Sequence, residues 1–181
     1  MIYQQAFTTF PIHLNSYGIG PNIYGLIIAV NGALIVIFQL PFTAFLNRFE
    51  RASVLTVAAA VIAVGIGSIA LPSTAWGFTL TVVIWTTGEM MDAPVKFSIA
   101  ADLAPRALRA RYMGVIGMSF STALAIGGPL GGFTLARLGP RFLWGGCLIV
   151  GVLAFVMCLA IRRRLAAAQD RQDRDTAELV Q

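Results

Sequence analysis

The sequence predicts an all-α, polytopic membrane protein, a bundle of transmembrane helices. Three observations carry that prediction. Apolar residues make up 57% of the chain and charged residues only 12%, with a mean hydropathy of +0.79. A soluble domain carries about 25% charged residues. Apolar runs of about 20 residues, the length that crosses a hydrocarbon core, recur between short polar breaks. The arginines gather at the ends of those runs rather than along one surface. A net charge of +5 therefore points to anionic lipid headgroups of a bilayer, and no nucleic acid partner is expected.

Taken in order, residues 1–14 are helix-like but too short to span, and read as a partial span, the outer half of a helix. Asn15 to Asn22 is a loop by its Gly, Pro and Asn content. The first full span covers about 23–46 and contains Asn31 and Gln39. These are eight residues apart, on one face about 12 Å long. An amide in a membrane either hydrogen-bonds a neighbouring helix or lines a path for substrate, and both readings stand. Asn47 to Arg51 is a charged turn, and the next span covers about 52–71. After a turn at Pro72–Thr74 comes the span at about 76–101. A second charged loop, Asp102 to Arg111, leads to a span at about 112–135. There Gly127, Gly128, Gly131 and Gly132 offer close helix packing, and Pro129 frees a carbonyl and bends the helix. The last span covers about 142–161 and ends at Arg162-Arg163-Arg164. Residues 1–164 thus form the transmembrane domain, and 165–181 a polar tail expected to fray.

The span at 76–101 is the one that resists a purely structural reading. Glu89, Asp92 and Lys96 lie within it at i, i+3 and i+7, on one helical face. Each costs roughly 2.5–3.5 kcal/mol at a bilayer centre, and such residues mark sites by default. Asp92 and Lys96 are spaced to pair; Glu89 has only a like charge, Asp92, at good spacing. A carboxyl placed there suits carrying a proton, with Asp92 tuning it. The bland alternative is that all three tie helices together. Trp85, Asn31 and Gln39 are candidates to line a substrate path. The single histidine, His13, sits beside a loop and reads as solvated. Cys147 and Cys158, about 16 Å apart along one helix, are too far for a disulfide. Neither a metal-ligand spacing nor a nucleophile–base set nor a phosphate loop stands out, so no enzyme, metal or cofactor is expected.

Arginine sets the orientation. Arg48, Arg51, Arg106, Arg109, Arg111 and Arg162–Arg164 fall on one side, against Arg137 and Arg141 on the other. The positive-inside rule makes the first side cytoplasmic, with the C-terminus inside.

The stretches Gly88-Glu89-Met90, Pro94, Ala101-Asp102-Leu103-Ala104-Pro105 and Arg109-Ala110-Arg111-Tyr112-Met113-Gly114 together resemble the tenth and eleventh helices of major facilitator superfamily transporters. Thr43 to Arg51 is similar to that superfamily's cytoplasmic loop motif, Gly-x-x-x-Asp-Arg-x-Gly-Arg. Arg48 and Arg51 are in place, while Thr43, Asn47 and Glu50 depart from it. Gly128-Pro129-Leu130-Gly131-Gly132 resembles the antiporter motif Gly-Pro-x-x-Gly-Gly, one residue short. The likeness covers all but the tail, and is to the C-terminal six-helix half of multidrug-efflux types, with an incomplete first helix. It implies a protein of the inner (plasma) membrane that carries out proton-coupled export of small hydrophobic molecules or drugs. It also implies a missing N-terminal six-helix half, with substrate between the halves, so that this fragment alone would be inactive. A charge cluster of Asp102 with Arg48, Arg51 and Arg109 would hold one access state. Two alternatives remain: a facilitator of a polar nutrient such as a sugar or organic acid, and a non-transporting fragment that associates with another half.

Overall fold

Seven α-helices, with no strand among the described residues, carry the chain in a computed structural model that describes residues 2–105 and 108–179. The side chains of Ala100, Asp102, Leu103 and residues 164–179 lie outside the described residues. Helices α1 (Ile2–Thr8) and α2 (Phe10–Asn15) form one nearly continuous rod. It is interrupted where Pro11 removes a backbone donor, and Thr9 and His13 still bond back to Gln5 and Thr9. Then come α3 (Pro21–Leu46), α4 (Arg51–Gly67) with a 3₁₀ turn at Ser68–Ala70, α5 (Ala75–Leu103), α6 (Arg109–Leu138) and α7 (Pro140–Leu179). Among the described residues, four stretches have both the length and the apolarity to cross a membrane: Pro21–Leu46, Arg51–Ala70, Arg109–Leu138 and Pro140–Arg163. Helix α5 has the length, about 43 Å, and holds the three ionisable side chains within it. The helix α7 continues through the arginines to Leu179, over the tail expected to fray.

The turns follow their residues. Pro21 opens α3 at its first position, where no backbone donor is needed. Gly139, at φ 85°, takes an extended positive-φ conformation that favours glycine and ends α6, and Pro140 opens α7.

Helix α4 is the keel. It packs most extensively on α5 and on α7, while α3 lies on the other side of α5. Small residues set these distances. A Cβ on Gly65 would stand 2.5 Å from the backbone nitrogen of Trp85, and one on Gly88 would stand 2.9 Å from that of Ile62. A Cβ on Gly151 of α7 would meet that of Ala63 at 2.5 Å. Backbones this close gain dispersion contacts along their whole length, the main attraction available between helices in lipid.

The core gathers where α2, α5 and α7 meet. Phe10, Leu14, Phe78, Trp85 and Trp144 are buried there with Ile66 and Ile69. His13 belongs to this core: it is 2% exposed, not solvated as its place beside a loop predicts. Its ring lies 5.3 Å from Tyr17, 5.7 Å from Phe78 and 5.7 Å from Trp144. The loop folds back over it, so nearness to a loop in sequence is not nearness to water.

Candidate functional site

Helices α3 and α5 run in the same direction, and Asn31 and Gln39 of α3 reach Thr86, Glu89 and Met90 of α5. The Asn31 side-chain nitrogen donates to the Thr86 hydroxyl at 2.9 Å and to Glu89 Oε2 at 3.1 Å. One amide nitrogen has two protons, and both are used. Thr86 in turn donates to the carbonyl of Val82 at 2.6 Å, which fixes its lone pairs toward Asn31. Glu89, half-buried near the middle of α5, is therefore held by a neutral amide from the neighbouring helix. Such a bond can be made to the charged and to the protonated carboxyl, since an oxygen can accept in either form.

Gln39, two turns further along α3, donates to Thr43 Oγ1 at 3.0 Å and to the carbonyl of Met90 at 3.1 Å. The second bond has a cause in the sequence. Pro94 sits inside α5 and lacks the N–H that Met90 would otherwise bond, so that carbonyl is orphaned in its own helix. The Gln39 amide takes the place of the missing donor. Beside it lies an apolar groove of about 400 Å³, lined by Leu34, Phe38, Phe42, Phe45 and Met90 among others.

Asp92 and Lys96 form an ion pair one turn apart, and Lys96 reaches over the ring of Phe120 on α6, 5.2 Å from its centroid. The pair lines a cavity of about 350 Å³ between α1, α4, α5, α6 and α7. Trp85 is not at this surface. It is 1% exposed, inside the bundle, with its ring edge-on to Tyr3 at 5.8 Å.

At the arginine-rich end, Arg162 Nε donates to Glu50 Oε2 at 3.2 Å, tying α7 to the turn before α4. Arg109 Nε donates to the carbonyl of Ala101 at 3.2 Å, closing the end of α5 onto the start of α6. Arg51 lines a further cavity of about 460 Å³ with Asn47, Pro94 and Ser98, and Arg48 is exposed. The side chain of Asp102, expected at the centre of this cluster, lies outside the described residues.

The glycines of α6 meet α1. Gln5 donates to the carbonyl of Gly127 at 2.7 Å, and a Cβ on Gly131 would collide with the Gln5 side chain. Gly128 faces Thr8 at 3.4 Å, Gly132 faces open space, and Pro129 is exposed. Gln5 is itself held by Thr9, whose hydroxyl donates to Gln5 Oε1 at 2.9 Å.

Spacing within one helix does not reveal the Asn31–Glu89 bond, because the partner is 58 residues away. Depth is the signal that finds it. Asn31 lies about 15 Å along α3 and Glu89 about 21 Å along α5 from the same end. Thr86 and Gln5, ordinary in sequence, enter only through their partners.

The family model of the Major Facilitator Superfamily matches residues 2–181. Among curated proteins, the uncharacterized MFS-type transporter YttB of Bacillus subtilis is 28% identical over 173 residues, covering 94% of this chain and 43% of YttB. The inner membrane transport protein YajR of Escherichia coli is 28% identical over 137 residues, 76% of this chain and 29% of YajR. A Na(+), Li(+), K(+)/H(+) antiporter of Planococcus maritimus is 21% identical over 102 residues, 56% of this chain and 24% of the antiporter. The chain spans less than half the length of each of these relatives.

Proposed function

Because the chain belongs to the Major Facilitator Superfamily, we propose that it is one half of a proton-coupled exporter of small hydrophobic molecules, working with a second six-helix half. Glu89 carries the coupling proton. The observation that carries this reading is a carboxyl in the middle of α5 whose hydrogen-bond donor is a neutral amide, Asn31, while the nearby cation, Lys96, is engaged by Asp92. A carboxylate matched to its own cation stays ionised; one held by an amide is free to load and release a proton. The antiporter among the relatives supports a proton as the coupling ion. The groove walled by Phe38, Phe42 and Phe45 supports a hydrophobic cargo, with Asn31 and Gln39 positioned along the same helix. Arg48, Arg51, Arg109 and Asp102 bias the balance between access states from the cytoplasmic side.

The test is Glu89→Gln in the assembled two-half transporter, reconstituted in proteoliposomes. Gln keeps hydrogen-bonding capacity and cannot ionise. Export driven by a proton gradient collapses, while exchange of substrate without a gradient survives. Wild-type export with wild-type pH dependence overturns the assignment and leaves Glu89 as a structural tie between α3 and α5.

A further inference from the structure

We propose that Asn31 links cargo to proton: its amide nitrogen holds Glu89, and its amide oxygen accepts a hydrogen bond from a hydrophobic cargo that bears an N–H group. The inference rests on the proton-coupled reading of Glu89 and adds to it a class of cargo and the residue that recognises it.

Chemistry fixes the orientation of the Asn31 amide. The Thr86 hydroxyl gives its proton to the Val82 carbonyl at 2.6 Å, so toward Asn31 it can only accept. Thr86 is fully buried, and no water competes for it. The Asn31 nitrogen therefore faces Thr86, and its second proton meets Glu89 Oε2 at 3.1 Å. Turned over, the amide would set its oxygen against the lone pairs of both partners. Gln39 is oriented by the same logic, because the Met90 carbonyl has no proton to give. Both amides of α3 thus spend their donors within the chain, and each has a carbonyl oxygen left.

Those oxygens are open. Among the described residues, the buried side-chain atoms without a partner are the Tyr3 hydroxyl, His13 Nε2, Trp85 Nε1 and Trp144 Nε1. Asn31 Oδ1, Gln39 Oε1 and Glu89 Oε1 accept no hydrogen bond from the described residues either, yet none of them belongs to that buried set. All three reach the surface of this half. Bond lengths within the amide and the 3.1 Å contact put Asn31 Oδ1 no more than about 5.5 Å from Glu89 Oε2. The surface that α3 offers beside Glu89 therefore accepts and does not donate. A molecule with an N–H satisfies it, and one with acceptors alone leaves it unpaired.

Few charged groups surround Glu89. Asp92 and Lys96, on its own helix, are paired with each other. From α1 the Tyr3 phenol lies in its field. In α3 and α4 the ionisable side chains are Tyr24 and Arg51, near the helix starts, and α6 meets this face of α5 through Phe120.

In the proposed step Glu89 begins protonated. The cargo N–H binds Asn31 Oδ1, the amide polarises, and its own N–H groups become stronger donors. A carboxylate gains more from such a donor than a neutral carboxyl does. The Glu89 O–H bond breaks, the proton passes to a water at the open Oε1, and Glu89 ends as carboxylate. The cargo keeps its own protons, so cargo enters as the coupling proton leaves.

Two probes separate an N–H from a charge: naphthylmethylammonium and its N,N,N-trimethyl analogue, both cationic at neutral pH. Each is added to the assembled two-half transporter in nanodiscs, in weakly buffered solution with a pH-indicator dye, and the anisotropy of the naphthyl group gives occupancy. At equal occupancy the primary ammonium releases several-fold more protons than the trimethyl compound, and Asn31→Leu abolishes the difference. Thr86→Val lets the amide turn, reduces the difference and shifts the pH profile of export; Thr86→Ser keeps the hydroxyl and restores both. Binding of the primary ammonium alone supports the inference equally. Equal proton release by the two probes on the wild-type protein overturns it, as does failure of both to bind. Equal release that Glu89→Gln abolishes removes the part of Asn31 and leaves proton coupling standing. Release and export that Glu89→Gln leaves unchanged mean that the proton-coupled reading has failed, and this inference with it.

Discussion

The two ends of the bundle are held by different forces. At the end bearing the Asn15 loop, Phe10, His13, Tyr17, Phe78 and Trp144 meet ring to ring at 5.3–6.3 Å, mostly edge to face. The side chains of Phe10, Phe78 and Trp144 are fully buried. At the arginine-rich end a smaller apolar cluster of Leu46, Val54, Ala58 and Met91 is joined by polar contacts: a cross-helix amide on a freed carbonyl, an ion pair, an arginine on a glutamate. Two cavities, of about 350 and 460 Å³, lie among them. Aromatic packing is close-range and forfeits energy steeply with a small gap. Polar contacts that solvent can reach exchange with water at little net cost. The first end is therefore built to stay shut within this half, and the second to adjust.

The comparison is broken most forcefully at Trp144. Trp144→Ala empties the site on which Phe10 and His13 rest and costs about 3–5 kcal/mol. Reversible unfolding in mixed micelles measures it. A loss under about 1 kcal/mol, the size of an average substitution, shows the aromatic end to be as loose as the other.

Gln39→Leu probes the polar end. It returns the Met90 carbonyl to the unpaired state that Pro94 creates, for a loss of about 1–3 kcal/mol. Amide exchange in α5 around Met90 rises with it. If stability and exchange both match wild type, water has replaced the amide without cost, and the end is wetter than the hydrogen bonds indicate.

Glu50→Gln gives the smallest effect. The Ser53 hydroxyl and then Arg162 hold the exposed Glu50 carboxyl below its ordinary value. A folded-state value below the unfolded one means the contribution is present above the unfolded value. It disappears as pH falls through the folded one. At physiological salt the variant melts within scatter of wild type; at low ionic strength and neutral pH a small difference opens, and acid closes it. A difference that persists in high salt shows a contact more than electrostatic.

How much of this was legible in the sequence depends on whether the signal is local. The helices and their turns are, because apolar length and arginine placement act within one segment: Pro21–Leu46 and Arg51–Ala70 fall within a few residues of the expected spans. So is the Asp92–Lys96 pair, spaced four apart on one helix. The donor on Glu89 is not, because Asn31 approaches from another helix, and only matched depth hints at it. His13 misleads for a similar reason: burial depends on where the next loop returns. Tyr3 carries no signal at all, since an aromatic in an apolar run is ordinary until its ring is found packed on Trp85.

The glycine contacts of α4 have a consequence for how this chain can vary over generations. At Gly65, Gly88 and Gly151 the cheapest mutation, one methyl, meets another helix at under 3 Å, so a change there demands a compensating shift in two helices at once. Val36, Ile37 and Leu40 on α3 and Met118 on α6 stand at the surface, where a new side chain disturbs nothing inside. Within this chain a substitution is therefore cheaper on the exposed helix faces than at these three glycines, which hold the frame.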